Sequence, residues 1–254
     1  MGSDSARPRL SIVMATWQAA ETLERCLKST VEQTFDQWEL VVADGASTDG
    51  TVDLLQSYDA HIAWWTSESD SGIYDAWNKA LGHARGDYVC FLGADDYWAA
   101  PQTLARLFEA VGSADYDLVT SVGQIKDSAT GKSHEFGSAF DFRRIGPRAV
   151  VFHPGLLHRR TLFDEHGLFD TRYKIAGDLE FLLRLPADTR ALHVDAVSVV
   201  MAAGGISQAS ALARLREQRE VLKRCPRYGP LRAYLAWLNK LWRYPIARLL
   251  DIPH

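Results

Sequence analysis

Five carboxylates in this chain have the type and placing that metal and acid–base chemistry require. Asp44, Asp70, Asp95 and Asp96 lie in loops that follow short apolar runs, and Asp178 opens a later helical pattern. The loops read Asp44-Gly45-Ala46-Ser47-Thr48-Asp49-Gly50, Ser67-Glu68-Ser69-Asp70-Ser71-Gly72 and Gly93-Ala94-Asp95-Asp96. Carboxylates brought together repel one another unless a cation or hydrogen-bond donors sit among them. Mg2+ or Mn2+ suits such oxygen ligands, and Mg2+ usually takes one or two protein carboxylates and fills its shell with phosphate and water. Each position has a local alternative. Asp44 alone would shape an Asx-turn, and Asp49 with Thr48 would cap the next helix. Asp95-Asp96 would form a turn ahead of Pro101, and Asp178 would cap the helix that starts just after it. The combination points to a site.

The elements that must position these residues alternate. Leu10 to Ala15 is an apolar run without helical spacing, and Leu23, Cys26, Leu27 and Val31 then recur every three to four residues, which predicts a strand followed by a helix. The pattern returns with Glu39–Ala43 and a helix near 51–58, and with Ile62–Trp65 and a helix near 74–83. It returns again with Tyr88–Leu92 and a helix from about Gln102, where Pro101 suits the first turn. The predicted class is α/β, a mainly parallel sheet flanked by helices. Ligands of such sheets bind beyond the carboxyl ends of the strands, where the acidic loops fall. After Asp117–Thr120 the regularity fades into a hairpin turn at Lys126–Lys132, helical stretches near 160–166 and 179–185, and an extended stretch from 192 to 200. Gly204-Gly205-Ile206-Ser207 reads as flexible, and the chain from Ala209 reads as helical, broken at Pro226, Gly229 and Pro230.

Composition bounds the function. With 254 residues, 47% hydrophobic and 24% charged, a globular catalytic-size domain plus an appendage is expected. The apolar runs stop short of the roughly 18 to 20 residues of a membrane span, and the N-terminus lacks a signal pattern, so neither export nor a span is expected. Cys26, Cys90 and Cys225 lack paired spacing and read as reduced structural thiols, and no histidine spacing, His193 included, fits zinc. The net charge of −4 is uneven: residues 209–254 carry ten Lys/Arg against three acidic residues, which makes that tail +7 and the remainder −11. Within it Leu231, Tyr234, Leu235, Leu238, Leu241 and Trp242 fall at helical spacing between Arg232, Lys240 and Arg243. Such a helix suits a membrane interface, or packs its stripe on the catalytic domain. Nucleic acid is not an expected partner.

The motifs carry a resemblance to glycosyltransferase family 2, with the nucleotide-sugar-binding fold called GT-A, from about Leu10 to Ser207. Ala15-Thr16-Trp17-Gln18 is similar to the family's Pro-Thr-Tyr-Asn, with the proline and asparagine replaced. Asp44–Asp49 resembles its Asp-Asp-Gly-Ser-Thr-Asp turn, and the resemblance implies that Asp44 contacts the nucleoside base. Ser67–Lys79 is similar to a stretch in the branch that builds bacterial surface polysaccharides. Gly93-Ala94-Asp95-Asp96 stands where members carry Asp-x-Asp-Asp, so the first carboxylate is replaced by Gly93. By resemblance Asp95 would bind ribose hydroxyls or the metal, and Asp96 is the favoured ligand of a Mg2+ or Mn2+ ion. The implied donor site comprises Thr16, Trp17, Asp44, Gly45, Ser47, Asp70, Gly72, Ile73, Asn78, Lys79 and Asp95. Tyr173–Arg184 resembles the family's acidic pair, which implies Asp178 as catalytic base with Glu180 the weaker candidate. His153 and Arg159 fall in a stretch like the branch's His-x-x-x-x-x-Arg-Arg and would face the acceptor; Gly204 and Gly205 would form a loop near the diphosphate.

The organisation expected is a catalytic domain over 8–207, with a nucleotide-binding half to residue 100 and an acceptor half beyond it, and a basic amphipathic tail over 208–254. The function expected is inverting, metal-dependent transfer from a nucleotide sugar, UDP-linked by family habit, to a hydroxyl of a glycan or lipid-linked acceptor in surface polysaccharide synthesis. It would take place in the cytoplasm, at the cytoplasmic face of the inner membrane. Two rivals stand beside it. A sugar-phosphate nucleotidyltransferase calls for a Gly-rich basic loop after the first strand, which Ala15–Ala20 lacks. A non-catalytic scaffold at the membrane would fit the loss of the carboxylate at Gly93.

Overall fold

A computed structural model describes residues 7–127, 131–143, 145, 151–202, 211–226, 228–229, 231, 234–235 and 237–238. Four parallel strands form its first half: β1 (Leu10–Thr16), β2 (Trp38–Asp44), β3 (Trp64–Ser67) and β4 (Tyr88–Gly93), in the order β3-β2-β1-β4. Their side chains alternate between two cores. Ile12, Met14, Leu40, Val42, Cys90 and Leu92 face one, and Val13, Val41, Ala43, Val89 and Phe91 face the other. A strand buried on both faces reads as a continuous apolar run, which is why β1, β2 and β4 were visible in the sequence.

The helices cover those faces with the residues their spacing exposes. On the first face α1 (Leu23–Val31) buries Leu23, Cys26 and Leu27, and α4 (Thr103–Val111) buries Leu104, Leu107, Phe108 and Val111. Leu55 of α2 (Thr51–Ser57) joins them. On the second face α3 (Ile73–Leu81) buries Tyr74, Ala76, Trp77, Ala80 and Leu81.

The second half extends the same sheet with mixed directions. A two-residue strand β5 (Tyr97–Trp98) follows β4, and β6 (Leu118–Lys126) and β7 (Ser133–Phe136) form the hairpin expected around 126–132. Then come β8 (Leu157–Arg159), α5 (Thr161–His166), α6 (Gly177–Arg184) and β9 (Ala191–Ala202). β8 is antiparallel to β4 and β6, β9 is parallel to β6, and β5 closes the far edge against β9. The short strands β5 and β8 were not legible in the sequence, because two or three residues carry no periodicity.

The last described helix, α7 (Ala211–Arg224), opens the basic tail. Val221, Leu222 and the following Cys225 belong to the second core beside Phe181 and Leu183 of α6, and the hydroxyl of Tyr228 donates to the carbonyl of Ile145 at 2.6 Å. The beginning of the tail is therefore fastened to the body. Beyond it Leu231, Tyr234, Leu235 and Leu238 are exposed. Gly204, Gly205, Leu241 and Trp242 lie outside the described residues.

Candidate active site

Strand register gathers the site. Thr16 pairs with Asp44 and Asp44 with Ser67, while Ala15 pairs with Gly93, so the ends of the four parallel strands share one level. Asp44 is 1% exposed and is the knot of this edge. Its carboxylate accepts from Thr16 Oγ1 (2.8 Å), Ser47 N (2.8 Å), Ser47 Oγ (2.6 Å) and Ser67 Oγ (2.6 Å). Four donors match the roughly four lone-pair positions of a carboxylate, so Asp44 ties the three loops together. Ser67, unremarked in the sequence, completes it.

Above the knot lies an open shelf. Trp17, directly after β1, is 66% exposed. A Cβ on Gly45 would meet Asp70 Oδ2 at 2.8 Å and Trp17 Cδ1 at 3.2 Å, so only glycine lets that carboxylate and that ring close over the backbone. Asp70 Oδ1 in turn accepts from the amide of Gly72 at 2.7 Å, and Gly72, at φ 122°, turns the chain into α3 at Ile73. Lys79 holds this loop from beneath, donating to the Ser69 carbonyl at 3.1 Å and pairing with Glu68 at 3.2 Å. Asn78, expected among the donor contacts, is spent elsewhere. Its amide bonds to both the carbonyl and the N–H of Phe169, at 2.8 and 3.0 Å, which fixes α3 to the chain ahead of α6.

The turn after β4 brings two carboxylates over one glycine. A Cβ on Gly93 would lie 2.9 Å from both Asp95 Oδ1 and Asp96 Oδ2, so the missing first carboxylate is replaced by space that the other two occupy. They differ in setting. Asp95 is partly exposed, whereas Asp96 is 3% exposed, with Oδ2 accepting from Gly93 N at 3.0 Å and Oδ1 left without a partner. Burial, and then the neighbouring Asp95, hold the Asp96 carboxyl well above the ordinary range. Burial with the same two acids raises the thiol of Cys26, which donates to the Gly93 carbonyl at 3.4 Å. An orphaned buried oxygen beside a second, more exposed carboxylate fits a hard dication better than it fits an empty turn. Among the described residues no group of three or more His, Cys, Asp or Glu side chains is arranged to hold a metal, so such an ion would need oxygens from a ligand.

Asp178 stands apart from that corner, on α6, and meets α3. It lies in the first turn of α6, whose N-cap is Ala176, so the cap expected of Asp178 is not its place. Its Oδ1 accepts from Leu179 N at 2.8 Å and from the hydroxyl of Tyr74, on α3, at 3.3 Å. Burial pushes its carboxyl up from the usual range. A Cβ on Gly177 would strike the Tyr74 ring at 2.8 Å, which is how α3 and α6 come this close. The side chain of Lys174 packs against Gly72 and donates to the carbonyls of Ser71 and Thr171. Glu180 pairs with Arg184 at 3.1 Å and lines a separate cleft of about 490 Å3 with Asp170, Arg172 and Arg224.

Two expected residues take other places. His153 is buried, its ring 5.5 Å from Trp77 and 5.6 Å from Phe91, and burial depresses its pKa to about 3, so it is a neutral core ring. Arg159 pairs with Tyr88, the first residue of β4, whereas the acidic turn follows the last. At about 3.3 Å per residue that separates it from Gly93 by roughly 17 Å along the strand. There it donates to the Tyr116 carbonyl (3.1 Å) and to the Tyr88 hydroxyl (3.2 Å), and pairs with Asp115. Both were expected to face an acceptor; the structure places one in the core and the other beside Tyr88.

Residues 11–163 match the sequence profile of glycosyl transferase family 2. The chain belongs to that family. A PGL/p-HBAD biosynthesis glycosyltransferase of Mycobacterium bovis is 33% identical over 229 residues, which cover 87% of this chain and 85% of the relative. The putative teichuronic acid biosynthesis glycosyltransferase TuaG of Bacillus subtilis is 37% identical over 97 residues, 36% of this chain and 38% of TuaG. Among solved structures, S. aureus TarS 1–349 in complex with UDP-GlcNAc aligns with a TM-score of 0.69 at 19% identity, over 93% of this chain and 72% of that one. The mannosyltransferase PcManGT from Pyrobaculum calidifontis, in complex with GDP-Man and Mn2+, aligns with a TM-score of 0.67 at 24% identity, over 96% and 74%. This family 2 glycosyltransferase thus has the GT-A fold.

Proposed function

We propose that this glycosyltransferase moves a sugar, with inversion, from a nucleotide sugar to a hydroxyl of a glycan or lipid-linked acceptor in surface-polysaccharide synthesis. The observation that carries the reading is a division of acids. Asp95 and Asp96 share one glycine at the carboxyl edge, while Asp178 sits on another helix, bonded to Tyr74 of α3, and Lys174 in the turn before it bonds Ser71 in the loop after β3. Among the described residues none of the three is in a salt bridge, in contrast to Glu39 at the opposite edge, which Arg85 neutralises at 2.7 Å. The mycobacterial relative, named for PGL/p-HBAD biosynthesis, and TuaG, named for teichuronic acid biosynthesis, support the acceptor class, and the donors named in the TarS and PcManGT complexes support a nucleoside diphosphate sugar.

In this mechanism the shelf of Trp17, Gly45 and Asp70 receives the nucleoside, its walls held by Asp44. Asp95, the more exposed carboxylate, is the first ligand of a Mg2+ or Mn2+ ion and Asp96 the second, which reverses the preference expected from the sequence. The ion, when bound, supplies charge neutralisation for the leaving diphosphate. Asp178 accepts the proton of the acceptor hydroxyl as its oxygen attacks the anomeric carbon, and the bond from that carbon to the diphosphate oxygen breaks on the opposite face. A carboxyl raised toward the working pH is a better base than an exposed one. The exposed Leu231, Tyr234, Leu235 and Leu238, with Arg219 over the Tyr234 and Trp237 rings at 5.7 and 5.3 Å, would rest on the cytoplasmic membrane face and bring a lipid-linked acceptor to the edge. No helix among the described residues is long and apolar enough to cross a membrane.

The test is transfer from a panel of UDP- and GDP-sugars, with Mn2+ and after chelation, followed by determination of the anomeric configuration of the product. Metal-dependent transfer with inversion is expected. Retained configuration would overturn the mechanism, and unchanged turnover in chelator would overturn the metal.

A further inference from the structure

The N-terminus of α6, which carries Asp178, is held from outside its own segment. Its N-cap residue Ala176 has no side chain able to bond the backbone, and the one backbone group that Asp178 bonds is the Leu179 amide inside the helix, so neither holds the turn before it. Instead a carboxylate from the middle of α7 enters the turn. Glu217 accepts from Lys174 N at both oxygens (3.1 and 3.0 Å), from Ile175 N at 2.8 Å and from Ala176 N at 3.0 Å. Three consecutive amides converging on one anion form a nest, a concave site that the backbone offers only when the turn is set. The same three residues connect both sides of the reaction centre. Lys174 reaches the Ser71 carbonyl of the donor loop, and Asp178 follows two residues after Ala176.

We propose that Glu217 is a positioning residue for the transfer: by closing the 174–176 turn it sets the direction of Asp178 and its distance from the donor loop. This rests on the reading of Asp178 as the base. Without the carboxylate, three amides of one turn lose their partner, and water replaces it without imposing a geometry. Misplacement of a catalytic group by about 1 Å can reduce the rate on the order of 100-fold. Glu217 also acts through charge. Burial raises the Asp178 carboxyl most, the Leu179 amide and the Tyr74 hydroxyl lower it, and the Glu217 charge raises it further. Those are the groups that α3, α6 and α7 turn toward Asp178, the ammonium of Lys174 being directed to the Ser71 and Thr171 carbonyls.

The experiment compares Glu217→Ala, Glu217→Gln and Asp178→Asn with the parent in steady-state transfer, pH profiles and amide hydrogen exchange. Glu217→Ala is expected to lower kcat about 10- to 100-fold with donor KM within about threefold, and to speed exchange at Ile175 and Ala176. Glu217→Gln retains an acceptor oxygen and is expected to recover part of kcat. Because it removes the charge, the acidic limb of its kcat/KM profile should move to lower pH. Parent-like kcat and acidic limb in both Glu217 variants, with Asp178→Asn inactive, would overturn the role of Glu217 and leave the base in place. An active Asp178→Asn would overturn the base reading itself. If Glu217→Ala does not fold, Glu217→Gln decides alone: a parent-like acidic limb and parent-like exchange at residues 175 and 176 would refute the proposal.

Discussion

The donor edge and the base helix are built in opposite ways. At the donor edge every strand runs at once into the loop it serves: β1 into Trp17, β2, which ends on Asp44, into Gly45, and β4 into Asp95 and Asp96. Parallel register brings those loops level, and the contacts that finish the shelf are short polar bonds around Asp44. The base helix has little such local support beyond the bond of Asp178 to the Leu179 amide. Asp178 bonds to Tyr74, 104 residues earlier in the chain, and the turn before it is closed by Glu217, about 40 residues later. One region is fixed by its own neighbours, the other by a docked helix, so damage to α7 should reach the base before it reaches the nucleotide shelf.

The largest expected effect separates the two regions most sharply. Asp178→Asn should lower kcat by roughly 10²- to 10⁴-fold, the usual share of a general base, while donor KM stays within about twofold. Its stability gives a second readout. Because the folded carboxyl is raised above its ordinary value of 3.8, the stability that Asp178 contributes is fully present below that pH and is lost as pH rises through the folded pKa. At neutral pH the asparagine variant should therefore unfold no earlier than the parent; a marked loss of stability together with activity would make Asp178 structural.

Next comes the acidic corner. Gly93→Asp restores the family's first carboxylate in sequence but places a Cβ 2.9 Å from two carboxylate oxygens. It should destabilise by about 1–3 kcal/mol, as overpacking does, and reduce transfer. Unchanged urea unfolding with tighter metal dependence would show that Asp95 and Asp96 swing aside freely.

Smaller effects test the two residues that the fold places in the core and at the start of β4. His153, with its pKa depressed to about 3, takes up no proton while folded until well below the 6.5 at which it would charge when unfolded. Between those values the unfolded state binds more protons, so stability should fall on acidification by about 1.4 kcal/mol per pH unit from this residue. His153→Phe should flatten that slope, read by unfolding at a series of pH values, and leave acceptor KM unaltered; the buried neutral His158 contributes in the same direction. Arg159→Ala, at the opposite end of β4, should leave both KM values within about twofold and lower stability by roughly 1–2 kcal/mol, more from the lost bonds to the Tyr116 carbonyl and Tyr88 hydroxyl than from the pair with exposed Asp115. A large rise in acceptor KM would move the acceptor site to that end.

Most of the first half was legible because its information is local. The apolar runs of β1, β2 and β4 and the helical spacing of α1, α3 and α4 predict their elements, and the glycines and acids that follow mark the ligand edge. The roles of single residues were less legible. Asn78 and Lys79 sit in one motif with Asp70, yet helical geometry turns Asn78 toward Phe169 while Lys79 reaches back to Ser69. Likewise Asp95 and Asp96 are adjacent in sequence but face different surroundings.

The sequence by itself determined the α/β class, the carboxyl edge and the family, because strand periodicity and short acidic turns are properties of neighbouring residues. Tertiary structure alone decided that Asp44 is a knot, that His153 is core, that Arg159 belongs to the far edge, and that the tail returns Glu217 to the helix of Asp178. Each depends on which surfaces meet across tens of residues, and a hydrogen bond or a buried ring has no period from which a sequence can announce it.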